Sequence, residues 1–251
     1  MEGRLRLSPS LRLTPSAHPP SPRSAPNSQT PRTYNGDVSD KLLHLVRHGE
    51  VHNPDRVLYG RLPGFRLSER GHQMAEAAAL ELAGSDRVVT KLFASPLERA
   101  QQSARPIASA LSLEIATEER IIEPTNAFEG MVSSGADRAF TKPQYWYRYL
   151  NPFRPSWGEP YRQIADRVRS AMNDAWDSTR DGDIVMVSHQ SPIWMAHLDI
   201  TGKPLFHNPS SRRCDLSSIT TFEKRGERWF EVDYRTPAAG LIDDAVDVGA
   251  V

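Results

Sequence analysis

The stretch Leu42-Leu43-His44-Leu45-Val46-Arg47-His48-Gly49-Glu50 constrains this chain most. Four apolar residues around His44 suit a buried strand, and Gly49 punctuates its end. In an open α/β sheet, ligands collect outside the carboxyl ends of the strands. An arginine beside a histidine at that spot points to phosphate chemistry. By average residue usage the tripeptide Arg-His-Gly alone turns up by accident in roughly a few per cent of chains this size. The rest of the sequence has to carry the case.

Strand and helix patterns alternate from there. Strands are expected over 42–47, 88–94 and 184–188, with a short one over 113–116. Ser68 caps a helix that runs through the Ala-rich 74–82. Further helices are expected over 97–111, 161–178 and 192–198, the last with Pro192 in its first turn. The 161–178 pattern is strongly amphipathic, with Ile164, Val168, Met172 and Ala175 on one stripe. Segments 218–223 and 228–234 read as a terminal hairpin. This alternation predicts a mainly parallel sheet covered on both faces, a three-layer α/β/α sandwich.

The ends of the chain read differently. Residues 1–36 are rich in Ser, Pro and Arg and too poor in apolar surface to offset the entropy of folding, so disorder is expected. Their composition is also that of an organelle transit peptide, against the blander reading of an unstructured extension. A loose tail is expected over 239–251. Residues 128–160 fit no regular element and are crowded with aromatics such as Tyr145, Trp146, Tyr147 and Trp157. They read either as packed hydrophobic cover or as a cap over the site.

Charge narrows the function classes. The 31 basic and 31 acidic residues balance, but the first 36 residues hold five arginines and one acid. The remainder therefore carries 26 basic against 30 acidic residues, which argues against a general nucleic-acid binder. Cys214 is the one cysteine, so an internal disulfide and a cysteine-rich zinc site are both excluded. A reducing, cytoplasmic setting is the simplest reading. No apolar run approaches the roughly 18–20 residues of a membrane span.

Four segments bear on Arg47-His48-Gly49. Ser95-Pro96-Leu97-Glu98-Arg99-Ala100 puts Arg99 in the first turn of a helix, where the dipole disfavours a cation unless an anion neutralises it. Ser188-His189-Gln190-Ser191 sets a second histidine at a strand's carboxyl end, ahead of a helix whose free N–H groups favour an anion. Glu123 follows the apolar pair Ile121-Ile122, and Glu129 is a competing acid in the same loop. Asn53 and Arg61 stand in a polar, glycine-containing loop before the first helix. His44, His48 and His52 are spaced by four, but on a strand ending at Gly49 they cannot share a face, so a metal face is discounted.

Together, and in this order, these segments resemble the histidine phosphatase superfamily, whose phosphoglycerate mutase-like fold is shared with fructose-2,6-bisphosphatases. The resemblance covers about residues 41–234. Arg-His-Gly-Glu-Val-His-Asn-Pro and Asn-Pro-Phe-Arg-Pro-Ser-Trp-Gly-Glu-Pro are similar to a poorly characterised bacterial phosphatase-like branch. The resemblance implies that His48 attacks phosphorus and that Arg47, Arg99 and His189 bind the phosphoryl oxygens. Glu123 would then donate and recover the proton. Asn53, Arg61 and Gln190 would contact substrate. It implies no metal and no cofactor, a small phosphorylated substrate, no nucleic acid or membrane partner, and a monomer or homodimer.

Two departures stand out. Pro54 occupies a position where the family commonly has asparagine. Gln190 and Ser191 stand where small glycines often follow the second histidine, so a side chain enters the pocket or adds its own donor. The leading expectation is a metal-independent phosphomonoesterase. A phosphoglycerate mutase is the nearest rival, although Glu123-Pro124-Thr125-Asn126 lacks the Glu-Arg-His-Tyr-Gly segment usual there. A phosphohistidine protein phosphatase and a catalytically silent phospho-ligand binder are the others.

Overall fold

The structure is a computed structural model that describes residues 41–132, 158–242, 245 and 247. Ten main elements follow in chain order: β1 (Leu43–Arg47), α1 (Glu69–Ala83), β2 (Val89–Ala94), α2 (Glu98–Leu111), β3 (Ile115–Thr117), α3 (Tyr161–Ser178), β4 (Asp183–Ser188), α4 (Gln190–Ile200), β5 (Ile219–Arg225) and β6 (Arg228–Arg235). The six strands form one sheet in the order β3-β2-β4-β1-β5-β6. β1 and β2 both pair parallel to β4, and β3 pairs parallel to β2. The β5–β6 hairpin joins antiparallel at β1.

Helices cover both faces, as the two-sided apolar strands require. On one face α3 and α4 pack Val168, Met172, Trp176 and Met195 against Leu43, Leu45, Ile184 and Met186. On the other, α1 and α2 pack Ala78, Leu82, Ala104 and Ile107 against Val46, Leu92, Val185 and Val187. The alternation within β1 and β4 thus feeds two cores from one pair of strands. Both strands end at the same edge, because Arg47 pairs in register with Ser188.

The sequence reading differs from the structure at a few places. β3 is only three residues and lies at the sheet edge, where one partner strand suffices. α4 is longer at both ends than the 192–198 pattern, because nearly all its residues are buried and its apolar signal has no single stripe. The chain after 238 was expected to be loose, yet Ala239–Leu241 forms a 3₁₀ turn. Leu241, Ile242 and Ala245 pack there against Met74, Leu216 and Ala238. The tail 1–36 and the aromatic stretch 133–157 lie outside the described residues.

Candidate active site

Gly49 is what allows the end of β1 to meet α1. A Cβ on Gly49 would lie 2.3 Å from the Gly71 carbonyl oxygen, and one on Gly71 would lie 2.0 Å from that of Glu50. Two backbones touch here, and neither tolerates a side chain. Ser68 caps α1 by accepting from the Gly71 N–H and donating to Glu50 Oε2 at 2.5 Å. The Gly49 N–H donates to Ser103 Oγ on α2 at 3.1 Å. The turn after His48 is therefore fixed by two helices, and the histidine with it.

His48 is buried, and its ring is set by two contacts. Nδ1 lies 2.7 Å from the Gly49 carbonyl oxygen, so Nδ1 carries the proton and donates it. Nε2 then holds a lone pair, which accepts from Arg99 Nε at 3.3 Å. Burial, followed by the charges of Arg99 and Arg47, pushes the His48 pKa well below the usual histidine value. The ring is neutral, with its lone-pair nitrogen facing a cation.

Arg99 and Arg47 are buried as well. Arg99 sits in the first turn of α2, donates from Nη2 to the Gly60 carbonyl at 2.7 Å, and lies 4.8 Å from the centre of the Tyr59 ring. Arg47 donates from Nη1 to the Cys214 carbonyl at 2.7 Å. Its fork also clasps the Asp247 carboxylate through two bonds, of 2.8 and 2.5 Å. Burial opposes its charge, but the Asp247 carboxylate outweighs this and raises the pKa. The same fork would suit a phosphoryl group.

His189 follows β4 and caps α4. Its ring stands edge-on to His48, with centroids 5.1 Å apart. Nε2 lies 2.7 Å from Ser95 Oγ at the end of β2, while Nδ1 is buried without a partner among the described residues. In the tautomer where Ser95 donates to Nε2, the ring proton sits on Nδ1 as a donor open to a ligand. Burial and the charge of Arg99 hold this histidine neutral too.

Glu123 reaches the site from the loop after β3. That loop is pinned where Ser188 Oγ donates to the Ile121 carbonyl at 2.7 Å and Arg61 Nε donates to the Glu123 carbonyl at 2.6 Å. The Glu123 carboxyl is buried; desolvation raises its pKa against the opposing pull of Arg99, the Ser191 hydroxyl, Arg212 and Arg47. Its Oε2 has no hydrogen-bond partner among the described residues. Glu129 is set differently, with Oε1 accepting from the backbone N–H groups of Arg61 and Asn126. It buttresses the loop.

The structure thus brings together Arg47, His48, Arg99, Glu123 and His189. Asn53 does not reach them through its amide, which closes its own loop through two 2.9 Å bonds with the Val57 backbone. Arg61 supports Glu123 from behind and approaches Glu159 at 3.6 Å. Gln190 Oε1 accepts from Arg212 Nη1 at 3.2 Å. Among the described residues, a cavity of about 330 Å³ is lined by Gln190, Arg212, Cys214, Asp215 and Asp247, with Pro209 and Ser210 at its side.

Sequence reasoning missed several neighbours. Tyr59 is buried, and desolvation lifts its phenol to about 12 despite the opposing charges of Arg99 and Arg47. Ser95 and Ser103 orient His189 and Gly49. Arg212, from the irregular stretch between α4 and β5, is a third buried arginine near the site, within electrostatic reach of Glu123 and Arg47. Its buried neighbourhood gave no periodic signal that could have marked it.

The family model for the histidine phosphatase superfamily (branch 1) matches residues 43–236. The chain belongs to the histidine phosphatase superfamily. Among the superfamily's curated relatives, "Uncharacterized protein Rv0525" of Mycobacterium tuberculosis is 47% identical over 197 residues, covering 78% of this chain and 96% of that protein. A 2,3-bisphosphoglycerate-dependent phosphoglycerate mutase of Thermoplasma acidophilum is 30% identical, covering 61% of this chain and 72% of its own length. Phosphoserine phosphatase 1 of Hydrogenobacter thermophilus is also 30% identical, covering 65% and 77%. The solved mycobacterial glucosyl-3-phosphoglycerate phosphatase matches with a TM-score of 0.62 at 22% identity, covering 76% of this chain and 96% of that one. This last likeness shows the shared histidine phosphatase fold.

Proposed function

We propose that this protein is a phosphomonoesterase that hydrolyses a small phosphorylated metabolite through a phosphohistidine on His48, without a metal. The observation that carries this reading is the tautomer of His48. Nδ1–H is tied to the Gly49 carbonyl, and Nε2 keeps its lone pair beside the Arg99 guanidinium. Nε2 attacks phosphorus, and the phosphorus–oxygen bond to the leaving group breaks. Arg47, Arg99 and His189 Nδ1–H bind the phosphoryl oxygens as their charge redistributes. Glu123, whose burial favours the protonated form, gives its proton to the leaving oxygen. As a carboxylate it then takes a proton from the water that attacks phosphohistidine, restoring both groups.

A second reading has a specific observation in its favour. The 30% identity to a phosphoglycerate mutase allows the phosphoryl group to return to a substrate hydroxyl instead of water. Against it, the stretch Glu123-Pro124-Thr125-Asn126 lacks the segment usual for mutases at the acid. A panel of phosphorylated metabolites with EDTA present, scored separately for phosphate release and isomer formation, tests both. Phosphate release that survives EDTA, together with acid-labile phosphate on wild type but not on His48→Ala, is the expected result. Isomer formation without phosphate release would make the protein a mutase. Activity abolished by EDTA would overturn the metal-independent reading.

A further inference from the structure

Asn208 accepts from the Ser210 N–H at 3.0 Å, and Pro209 opens a 3₁₀ turn over Pro209–Ser211 that delivers Arg212. Arg212 is only 9% exposed, and neutral groups hold its guanidinium. Nε donates to His207 Nε2 at 2.9 Å, while Nη1 donates to Gln190 Oε1 at 3.2 Å and to Ser191 Oγ at 3.3 Å. His207 Nδ1 lies 2.8 Å from the Leu205 carbonyl oxygen, which leaves Nε2 as the acceptor. Among the described residues Nη2 makes no hydrogen bond and Arg212 no ion pair. Glu123 and Arg47 act on it at longer range and with opposite sign. A charge taken out of water at this cost calls for a counter-charge.

Arg212 lines the cavity of about 330 Å³, a volume that suits a small ligand. The same cavity is lined by Cys214, whose carbonyl accepts from Arg47 at 2.7 Å, and by Asp247, which the Arg47 fork holds. It therefore adjoins both arginines. Its two acids are engaged elsewhere, Asp247 by Arg47 and Asp215 by the Tyr234 hydroxyl, which donates to Oδ2 at 3.0 Å. Arg212 is the charge in this cavity that lacks a counter-ion among the described residues. We propose that Arg212 and Gln190 form a seat for a carboxylate of the substrate, so that the phosphomonoester preferred here also carries a carboxylate. The proposal rests on the phosphatase reading above. With Oε1 of Gln190 turned to Arg212, the amide nitrogen on the same carboxamide makes no hydrogen bond among the described residues. Arg212 Nη2 and Gln190 Nε2 thus offer two donors for the two oxygens of a carboxylate. A single guanidinium balances one negative charge. A second phosphate, nearly dianionic, would face Asp215 and Asp247 with charge to spare, so the monoanion is favoured.

The test uses full-length protein and a matched set of esters on one propyl body: the phosphate of 3-hydroxypropanoate, the monophosphate of 1,3-propanediol and its bisphosphate. The readout is the ratio of kcat/KM values within each protein, because damage to folding or to phosphoryl transfer lowers all three alike. Wild type should prefer the carboxylate ester over the hydroxyl ester by about ten- to a hundred-fold, the scale of a hydrogen-bonded charge pair. Arg212→Met should bring that ratio near one, and Gln190→Ala should lower it several-fold. If Arg212→Met fails to fold, the wild-type ratio and Gln190→Ala still decide. Equal use of the carboxylate and hydroxyl esters by wild type would overturn the seat while leaving the phosphatase reading intact. So would a carboxylate preference that survives both substitutions. A bisphosphate preferred over the carboxylate ester would overturn the choice of a monoanion. No phosphate release from any ester, or from p-nitrophenyl phosphate, would instead sink the phosphatase reading beneath the proposal.

Discussion

Arg99 stands in the first turn of a helix, where its charge opposes the dipole, and it is buried as well. Both costs are offset locally by the Gly60 carbonyl, the Tyr59 ring face and the lone pair of His48. A residue held so expensively is already aimed before substrate arrives. Arg99→Ala should therefore lower kcat/KM by on the order of 10²–10³, the scale for losing one preorganised donor. Kinetics within a factor of a few of wild type would remove Arg99 from the phosphate seat. Arg47 differs in having its fork on the Asp247 carboxylate. A phosphoryl group that takes the same fork must compete with it. Asp247→Asn should then tighten inhibition by inorganic phosphate and lower KM, with kcat little changed. A weaker phosphate inhibition constant would instead mean that Asp247 steadies Arg47 for the substrate.

The meeting of β1 with α1 is the element-scale feature on which the site depends. Because a Cβ on Gly71 would strike the Glu50 carbonyl oxygen at 2.0 Å, relief requires that α1 or the end of β1 move. Gly71→Ala should cost about 1–3 kcal/mol of stability, the usual scale of overpacking. It should also cost activity, since the displaced backbone carries His48 and Gly49; a denaturant midpoint and kcat both unchanged would sink the argument. Elements of this kind differ in how far the sequence displays them. α3 matches its pattern at Tyr161–Ser178, because one face meets the sheet and the other meets water. α4 has no polar face, so its ends could not be read from periodicity. Arg47, His48 and His189 at strand ends and Arg99 at the start of α2 were legible because motif and element boundary coincide. Ser191 showed only as a departure from the small glycines, and Arg212 and Tyr59 carried no signal of a role. Their neighbours lie far along the chain or in irregular segments, and only the tertiary fold brings them near the site.

At the scale of the whole molecule, two buried neutral histidines at one end of the sheet tie stability to pH. His48 and His189 both have folded-state pKa values well below 6.5, first through burial and then through Arg99. Below pH 6.5 the unfolded chain takes up protons at these two positions that the folded protein refuses. Their linkage therefore removes stability as pH falls from 6.5. Each histidine can contribute a slope of up to about 1.4 kcal/mol per pH unit. Glu123 has the opposite sign. Its pKa is raised on folding, so its contribution is full below 4.5 and is lost as pH rises through the folded value. Asp183, held at about 2 by Arg87, His44 and the Leu42 N–H against the desolvation that opposes them, loses its contribution only below 3.8. Between pH 6.5 and 5 the histidines thus act without Asp183. Urea midpoints measured across that window should fall with pH for wild type and fall less steeply for His48→Asn and for His189→Asn. Parallel slopes for all three proteins would mean that the histidines protonate in the folded state, and a charged His48 could not attack phosphorus.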